Sequence, residues 1–166
     1  WSRGQRRPRQ QGDPKAPGSQ AKLEIAERRC LEQGLKLTPQ RRQVMALLLE
    51  QDDPASAYDL LDALQRRHQP GAKPPTIYRA LDFLVAAGLA HRLASTNRYM
   101  ACGHLACDHG HEAGTLFLVC DQCGAVREAP MDSPLRRQLQ RSLKNEGFRV
   151  GAQPLEMHGR CERCAP

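Results

Sequence analysis

The sequence predicts an α+β protein with a helical first part and a smaller second part that mixes strands with one helix. Three observations support this prediction: amphipathic helical segments in the N-terminal half, a hairpin pattern directly after them, and two cysteine pairs in the C-terminal third. Of the 166 residues, 4% are aromatic and 26% are charged. Two modest cores are therefore expected instead of a single large one.

Four helices are predicted in the first half of the chain. The first covers residues 20–33. The second begins after the N-cap Thr38, and the third begins at the capping box formed by Ser56 and Asp59. The fourth begins near Pro75 and ends at Gly88. The side chains expected to face the core from the first and fourth helices are Leu23, Ala26, Cys30, Leu31, Ile77, Leu81, Leu84 and Val85.

A strand pattern follows the fourth helix. Leu89–Leu93 and Asn97–Ala101 flank a three-residue loop, which predicts a hairpin. Helices followed by a two-stranded hairpin form a winged helix-turn-helix domain, and its recognition helix is here the fourth helix. We assign this domain to residues 21–101, preceded by a disordered basic tail over residues 1–20.

The remainder of the chain has a different pattern. Residues 102–114 contain glycine, histidine and cysteine without periodicity and are interpreted as a hinge or metal loop. Residues 115–166 are assigned to a second, small domain that is stapled by metal. Its predicted elements are a hairpin of Leu116–Cys120 with Ala125–Glu128, a helix capped at Ser133-Pro134 and ended by Gly147, and a strand over Phe148–Met157.

Charge and hydropathy limit the function classes. Of the net charge of +7, +4 lies in residues 1–20, so the total is weak support for nucleic-acid binding. No apolar run approaches the ~20 residues that cross a bilayer, and residues 1–20 lack the apolar region of a signal peptide. We therefore expect a cytoplasmic protein without a membrane partner. In a reducing compartment, seven cysteines indicate metal binding before disulfides.

The two cysteine pairs predict a structural zinc site. Cys120 and Cys123 form one Cys-x-x-Cys knuckle, and Cys161 and Cys164 form the other. Two intervening residues let both sulfurs of a knuckle face one ion, and two knuckles complete a tetrahedron of thiolates. Such a site has no open coordination position, so its expected role is structural. Two disulfides or four unrelated thiols are the alternative.

A second group of ligand types surrounds the predicted hinge. We expect a regulatory site in which four residues share one ion: His91 and Cys102 from the wing, His111 from the hinge and Glu128 from the second domain. The thiolate favours zinc over ferrous iron. A solvated loop with incidental ligands is the alternative interpretation. The other ligand-type residues of this region are His104, Cys107 and His109, which could form a third, weaker site or none.

Polar side chains of the fourth helix lie off its apolar stripe. Arg79 can donate two hydrogen bonds to guanine, while Thr76 and Tyr78 have hydroxyls suited to phosphate contact. Tyr58, at the start of the third helix, is a further contact candidate. Phosphate contacts are also predicted for Arg41 and Arg42. For each arginine, a solvated surface charge is the alternative.

Three motifs together resemble the ferric-uptake-regulator family. Leu37-Thr38-Pro39-Gln40-Arg41-Arg42 is similar to its opening motif, and Pro75-Thr76-Ile77-Tyr78-Arg79-Ala80-Leu81 is similar to its recognition helix. Cys120-x-x-Cys123-Gly124 with Cys161-x-x-Cys164 resembles its structural zinc site. The resemblance covers about residues 22–164. Within the family, residues 73–84 and 95–97 resemble the zinc-uptake branch more than the iron branch.

The resemblance implies a function. It implies a winged-helix domain and an α/β dimerisation domain joined by a metal-sensitive hinge, in a homodimer that binds operator double-stranded DNA and represses zinc-acquisition genes when zinc is plentiful. His91, Cys102, His111 and Glu128 match the regulatory site of the zinc branch. The assignment of His111 instead of His109 as a ligand depends on where a gap is placed when this loop is matched to the family.

Three other functions remain open from the sequence. The first is an iron, manganese or peroxide sensor of the same family. The second is a zinc-ribbon module that binds protein or RNA. The third is an enzyme, which we do not expect because the chain contains no His-Glu-x-x-His or similar ligand-plus-base motif.

Overall fold

The computed structural model describes residues 18–103, 105, 115–149 and 154–165. Residues 1–17 of the predicted basic tail and most of the predicted hinge loop lie outside the described residues. The tail prediction was wrong for residues 19 and 20, which belong to the first helix. Four candidate metal ligands lie outside them as well: His104, Cys107, His109 and His111.

The N-terminal domain contains the four predicted helices, which are α1 (Ser19–Glu32), α2 (Pro39–Leu49), α3 (Ala57–Arg67) and α4 (Pro74–Ala86). The Thr38 hydroxyl accepts a hydrogen bond from the Arg41 N–H and so caps α2. Ser56 and Asp59 exchange the two hydrogen bonds of a capping box at the start of α3. The predicted helix starts of α2 and α3 are therefore confirmed.

Apolar side chains from all four helices form one core. The large side chains buried in it include Met45, Leu47, Leu48, Leu60, Leu64, Ile77, Leu81 and Leu84. Two sequence predictions of inward-facing residues were wrong. Leu31 directly follows the buried Cys30 in α1, and Val85 directly follows the buried Leu84 in α4. One residue turns about 100° around a helix, so both side chains point away from the core and are exposed.

A three-stranded sheet completes the N-terminal domain. Its strands are β1 (Ala55–Ser56), β2 (Ala90–Leu93) and β3 (Arg98–Ala101), in the order β1-β3-β2 and antiparallel throughout. The wing is the β2–β3 hairpin. In its turn, Asn97 has a φ of 51° and its side-chain oxygen accepts two hydrogen bonds from the Arg92 guanidinium.

The C-terminal domain contains β4 (Thr115–Cys120), β5 (Val126–Pro130), α5 (Ser133–Asn145) and β6 (Leu155–Gly159). Its sheet has the order β5-β4-β6, in which β4 is antiparallel to β5 and parallel to β6. Helix α5 makes the crossover that a parallel pair requires. The chain therefore has the predicted α+β class, with a winged helix-turn-helix domain followed by a small α/β domain.

Two details of the C-terminal domain differ from the sequence prediction. The N-cap of α5 is Asp132, whose carboxylate accepts a hydrogen bond from the Leu135 N–H at 2.9 Å, whereas Ser133 is the first helical residue. The last strand begins at Leu155 and not at Phe148. The prediction misplaced it because hydrophobic alternation alone does not show where pairing with β4 starts.

The C-terminal domain leaves apolar side chains exposed. No α5 residue is buried, and Leu135 and Phe148 are more than half exposed. Leu118 and Met157, which are paired across β4 and β6, are exposed on the same face of the sheet. Among the described residues, no helix combines the length and the apolar character needed to span a bilayer.

Candidate metal centres and nucleic-acid interface

The two cysteine knuckles meet at the end of the C-terminal sheet. Cys120 is the last residue of β4, and Cys161 follows β6 by two residues. Since β4 and β6 are adjacent, the knuckles that follow them also lie next to each other. The sulfurs of all four cysteines lie within 4.8 Å of one another. Gly124, with a φ of 69°, closes the first knuckle through a hydrogen bond from its N–H to the Cys120 carbonyl at 2.8 Å.

The electrostatics of this cluster favour a bound cation. Hydrogen bonds from the backbone N–H groups of Cys161 and Cys123 lower the pKa of Cys120 to about 6. The neighbouring Cys161 thiol raises the pKa of Cys164 to about 12. Without a cation, the four sulfurs therefore cannot all be thiolates at neutral pH. A divalent ion that prefers tetrahedral thiolates, such as Zn²⁺, removes this conflict, so the donor set fits structural zinc.

A second candidate centre lies between the two domains. His91 is on β2 of the wing, Cys102 directly follows β3, and Glu128 is on β5. One ligand atom from each lies within 4.8 Å of the other two. The side chains of His91 and Glu128 are only 10% and 7% exposed. The structure thus brings together three of the four residues that were predicted for a regulatory site, while His111 lies outside the described residues.

One ring nitrogen of the histidine in this centre lacks a hydrogen-bond partner. Among the residues that the structure describes, His91 Nε2 is the one buried side-chain nitrogen or oxygen atom without one. Glu128 Oε1 lies 3.6 Å away, which is too far for a hydrogen bond. A buried polar atom without a partner is destabilising unless a ligand satisfies it. Imidazole, thiolate and carboxylate are all zinc ligands, so this site also fits a metal ion.

The surroundings of His91 fix its orientation and charge. Its ring packs edge-to-face against Phe117 of β4, with ring centroids 5.1 Å apart. Burial lowers the pKa of His91, but the adjacent Cys102 and Glu128 outweigh burial and raise it to about 9. The metal-free site therefore holds a proton on the imidazole at neutral pH, and a metal ion must displace it.

Gly103 is a supporting residue that sequence reasoning missed. Its N–H donates a hydrogen bond to Glu128 Oε2 at 2.8 Å. A Cβ atom at this position would lie 2.7 Å from the same oxygen, so only glycine allows the carboxylate to approach this closely. The signal in the sequence was a glycine directly after a candidate ligand, within the segment interpreted as a hinge or metal loop. Because Gly103 has no side chain, the Glu128 carboxylate of the other domain can approach its backbone closely.

The recognition helix presents the predicted polar residues at its N-terminal part. Arg79 is exposed, whereas Thr76 and Tyr78 are partly buried. Tyr58, in the first turn of α3, is 67% exposed, although most tyrosines are largely covered. These side chains are available for contact with a ligand as large as duplex DNA.

Two arginines that were predicted to contact phosphates have partners within the chain. The Arg41 guanidinium lies over the Phe83 ring, 3.7 Å from its centroid, and donates a hydrogen bond to the Lys36 carbonyl at 2.8 Å. Arg42 forms an ion pair with Glu27 of α1. Arg41 therefore joins α2 to the recognition helix, and Arg42 joins α2 to α1. A phosphate contact by either residue stays a prediction.

Fold and sites together define a class of protein: a winged-helix protein with two separate candidate metal centres, one inside a domain and one between domains. The chain belongs to the ferric uptake regulator family, whose family model matches residues 32–158. Members of this family are transcription regulators and not enzymes.

Comparison with known proteins narrows the relationship. The chain is 41% identical over 146 residues to the zinc uptake regulation protein of Escherichia coli strain K12, covering 88% of this chain and 82% of the relative. It is also similar to a solved zinc uptake regulator complexed with zinc and DNA, with 39% identity and a TM-score of 0.76. That match covers 89% of this chain and 95% of the other.

Two further structures show which domain arrangement the chain resembles. Holo XcZur matches with 39% identity and a TM-score of 0.71, covering 86% of this chain and 96% of the other. Apo XcZur matches with 40% identity and a TM-score of 0.50, covering 89% and 98%. Sequence identity differs by one percentage point between the two comparisons, whereas the TM-score is clearly higher for the holo structure. The fold of this chain is therefore more similar to the holo form.

Proposed function

We propose that this protein is a zinc-sensing transcription regulator that binds operator DNA as a homodimer and represses zinc-acquisition genes when zinc is plentiful. The observation that supports this most directly is the buried interdomain cluster of His91, Cys102 and Glu128 around a histidine nitrogen with no partner. An ion shared by these residues would link the wing to the C-terminal domain. His111 is proposed as the fourth ligand.

Zinc is the proposed signal for two reasons. The relatives with high identity are zinc uptake regulators. A thiolate in the regulatory set, here that of Cys102, favours zinc over ferrous iron. Cys120, Cys123, Cys161 and Cys164 are proposed to hold a second, structural zinc. A third site at His104, Cys107 and His109 remains a proposal without structural support, since these residues lie outside the described ranges.

DNA binding is proposed for the face that contains Arg79. This residue would contact base edges in the major groove, with Thr76, Tyr78 and Tyr58 placing the helix against the backbone. Arg41 and Arg42 are proposed to act mainly through their contacts within the domain, which hold α2 and α4 in position. The exposed arginine on the recognition helix then determines most of the sequence preference.

The exposed apolar surface of the C-terminal domain is proposed as the dimer interface. Leu118 and Met157 on the sheet, with Leu135 and Phe148 at the two ends of the α5 segment, expose apolar area that a second copy would bury. Two-fold pairing would place two recognition helices on a symmetric operator. The proposed domain boundaries are residues 1–20, 21–101, 102–114 and 115–166, and the proposed location is the cytoplasm.

The free energy that zinc binding must supply to shift the dimer to its DNA-binding arrangement is modest. Moving a dimer from 1% to 99% in the DNA-binding arrangement takes about 5.5 kcal/mol, or about 2.7 kcal/mol per protomer. His91 and Glu128 face each other across the domain interface, so closure is required for both to hold one ion. Reciprocal coupling then requires that operator DNA tightens zinc binding.

A DNA mobility-shift titration in buffered free zinc, iron and manganese tests this function. We expect zinc to induce DNA binding at a lower free concentration than iron or manganese does. Binding that responds to iron or manganese alone would instead favour another metal sensor of the family. Arg79→Ala should weaken binding at saturating zinc by about 1–3 kcal/mol. Arg66→Ala, at an exposed position on α3, is the matched control. Equal losses from the two substitutions would contradict the assignment of α4 as the reading helix.

A further inference from the structure

The inner face of the C-terminal sheet presents a row of three side chains to the winged-helix domain. Phe117 on β4 is paired with Glu128 on β5 and with Glu156 on β6. Residues directly opposite each other in a sheet point to the same face, so the two carboxylates flank the Phe117 ring. Phe117 and Glu128 both contact or closely approach His91. The third member, Glu156, has no role in either metal centre.

Glu156 is bound to the tip of the wing. Its Oε1 accepts a hydrogen bond from the Ala94 N–H at 2.5 Å, and its Oε2 accepts one from the Ser95 N–H at 3.2 Å. The Ser95 hydroxyl also donates to Oε2. Both carboxylate oxygens are therefore used, and the side chain is only 12% exposed. Burial raises the pKa of Glu156, but the hydrogen bonds from Ser95 and Ala94 outweigh it and keep this pKa below its ordinary value.

The four-cysteine centre holds the strand on which Glu156 lies. After β6, the Gly159 carbonyl accepts a hydrogen bond from the Asp121 N–H at 2.9 Å, and the Cys161 N–H donates one to Cys120 Sγ at 3.4 Å. These contacts fix the end of β6 against the first knuckle. The strand of Glu156 is thus anchored by its pairing with β4 and by the four-cysteine centre, which shares no residue with the interdomain cluster.

We propose that Glu156 is a positioning residue that fastens the wing to the C-terminal domain independently of the interdomain metal. Glu156 lies on β6 and Glu128 lies on β5, on opposite sides of Phe117. The contact of Glu156 with the wing is therefore separate from the His91–Glu128 contact. Charge-assisted hydrogen bonds to backbone N–H groups are stronger than neutral ones, so this contact favours the closed arrangement before metal binds. The inference rests on the proposed function, because it states that Glu156 helps to determine the zinc concentration at which the two domains close.

Glu156→Gln tests the proposal because it removes the charge and keeps the size of the side chain. The free zinc concentration for half-maximal DNA binding should rise about 10-fold, since part of the bias toward closure is lost. DNA affinity at saturating zinc should return to the wild-type value. Ser95→Ala should shift the midpoint in the same direction by a smaller factor. Because the two residues share one contact, the double variant should shift the midpoint by less than the product of the two single fold-changes. Glu146→Gln, the same change at an exposed position, should leave the midpoint unchanged.

A second measurement does not depend on DNA or on the interdomain ion. Hydrogen exchange at the Ala94 and Ser95 amides is measured by NMR with zinc in the four-cysteine centre alone. These amides should be protected in the wild type and exchange at least about 10-fold faster in Glu156→Gln. Unchanged exchange and an unchanged zinc midpoint would overturn the proposal, as would a loss of DNA binding that saturating zinc does not restore. If wild-type DNA binding ignores zinc, the proposed function fails, while the exchange measurement still decides whether Glu156 fastens the wing.

Discussion

The two metal centres differ in how their ligands are distributed over the chain. All four cysteines of the first centre belong to the C-terminal domain, and their sulfurs converge through tight turns at the ends of β4 and β6. The ligands of the second centre come from both domains: His91 and Cys102 from the winged-helix side and Glu128 from the C-terminal sheet. The first centre can therefore stabilise one domain, whereas the second can report how the two domains are placed.

Burial separates the two centres in the same way. Three of the four cysteines are partly exposed, and the cluster is closed by its own turns. His91 and Cys102 are buried, and Phe117 and Glu128 of the C-terminal sheet lie against His91. A site whose burial depends on domain closure gains its affinity from closure, and by linkage it favours closure when it is filled. Under the proposed function, this difference would allow one protein to keep one zinc permanently and to sense another.

The largest expected effect is the loss of the C-terminal domain in Cys161→Ser. Structural zinc centres with such ligand sets contribute about 10–16 kcal/mol of apparent folding free energy, which a small domain with an exposed helix cannot replace. Metal analysis should find one zinc fewer per chain, and the amides of β4 and β6 should lose their protection from hydrogen exchange.

Cys30→Ala is the control for this prediction. It removes a buried thiol from α1 that is in neither centre, and it should cost about 1 kcal/mol of global stability without changing zinc content. If Cys161→Ser kept its zinc and its protected strands, the structural assignment of the first centre would be wrong.

Glu128→Gln should affect the second centre only. Loss of a residue that supports a ligand typically weakens metal binding about 10–100-fold, so loss of a ligand should weaken it by more than about 100-fold. Competition with a zinc chelator should show a single weakened site, and thermal unfolding of the zinc-loaded C-terminal domain should not change. Glu32→Gln at the exposed end of α1 is the control and should retain both affinities.

The sequence was sufficient to predict the first centre but not all of the second. Each knuckle, the N-caps of α2 and α3 and the wing are local patterns that spacing indicates. The two knuckles meet because β4 and β6 are adjacent in the sheet. His91 and Glu128 were predicted to share a site because motif positions suggested it. The contacts of Gly103 and Glu156 depend on how the two domains face each other and on the register of β6 against β4, which no local pattern encodes.

The recognition surface shows the same limit. Exposure of Arg79 followed from helical periodicity. The stacking of Arg41 on Phe83 joins two helices that are distant in sequence, so Arg41 could not be distinguished from an ordinary surface arginine. Ser133 was taken as the cap of α5 because it precedes a proline, whereas Asp132 can occupy the N-cap and leave Pro134 in the first turn.

The pH dependence of zinc binding tests whether the His91 imidazole in the second centre is protonated before the metal binds. The pKa of His91 is raised to about 9 in the metal-free protein, above its ordinary value of 6.5. The stabilisation from this proton is full below pH 6.5 and is lost as the pH rises through 9. Zinc must displace the proton, so its apparent affinity should rise about 10-fold per pH unit from the His91 proton alone until pH 9.

Chelator competition between pH 6.5 and 8.5 measures this slope, and calorimetry in two buffers of different ionisation enthalpy counts the protons released. The range lies below the raised His91 pKa. In Glu128→Gln, the imidazole loses one of the groups that raise its pKa, so fewer protons should be released. A wild-type affinity that does not change with pH would show that His91 is already neutral before the metal binds.

The smallest expected effect is that of Gly103→Ala, and it tests whether the interdomain centre requires the close approach of the two domains. The added Cβ would lie 2.7 Å from Glu128 Oε2, so the carboxylate or the loop must move and the 2.8 Å hydrogen bond to the Gly103 N–H must lengthen. We expect about 10-fold weaker zinc binding at the second centre, with the four-cysteine centre unaffected. Gly71→Ala, where a Cβ meets nothing within 4 Å, is the matched control. If the two alanine variants bound zinc equally well, the carboxylate would reach the ion without support from the wing side, and Gly103 would have no part in joining the domains.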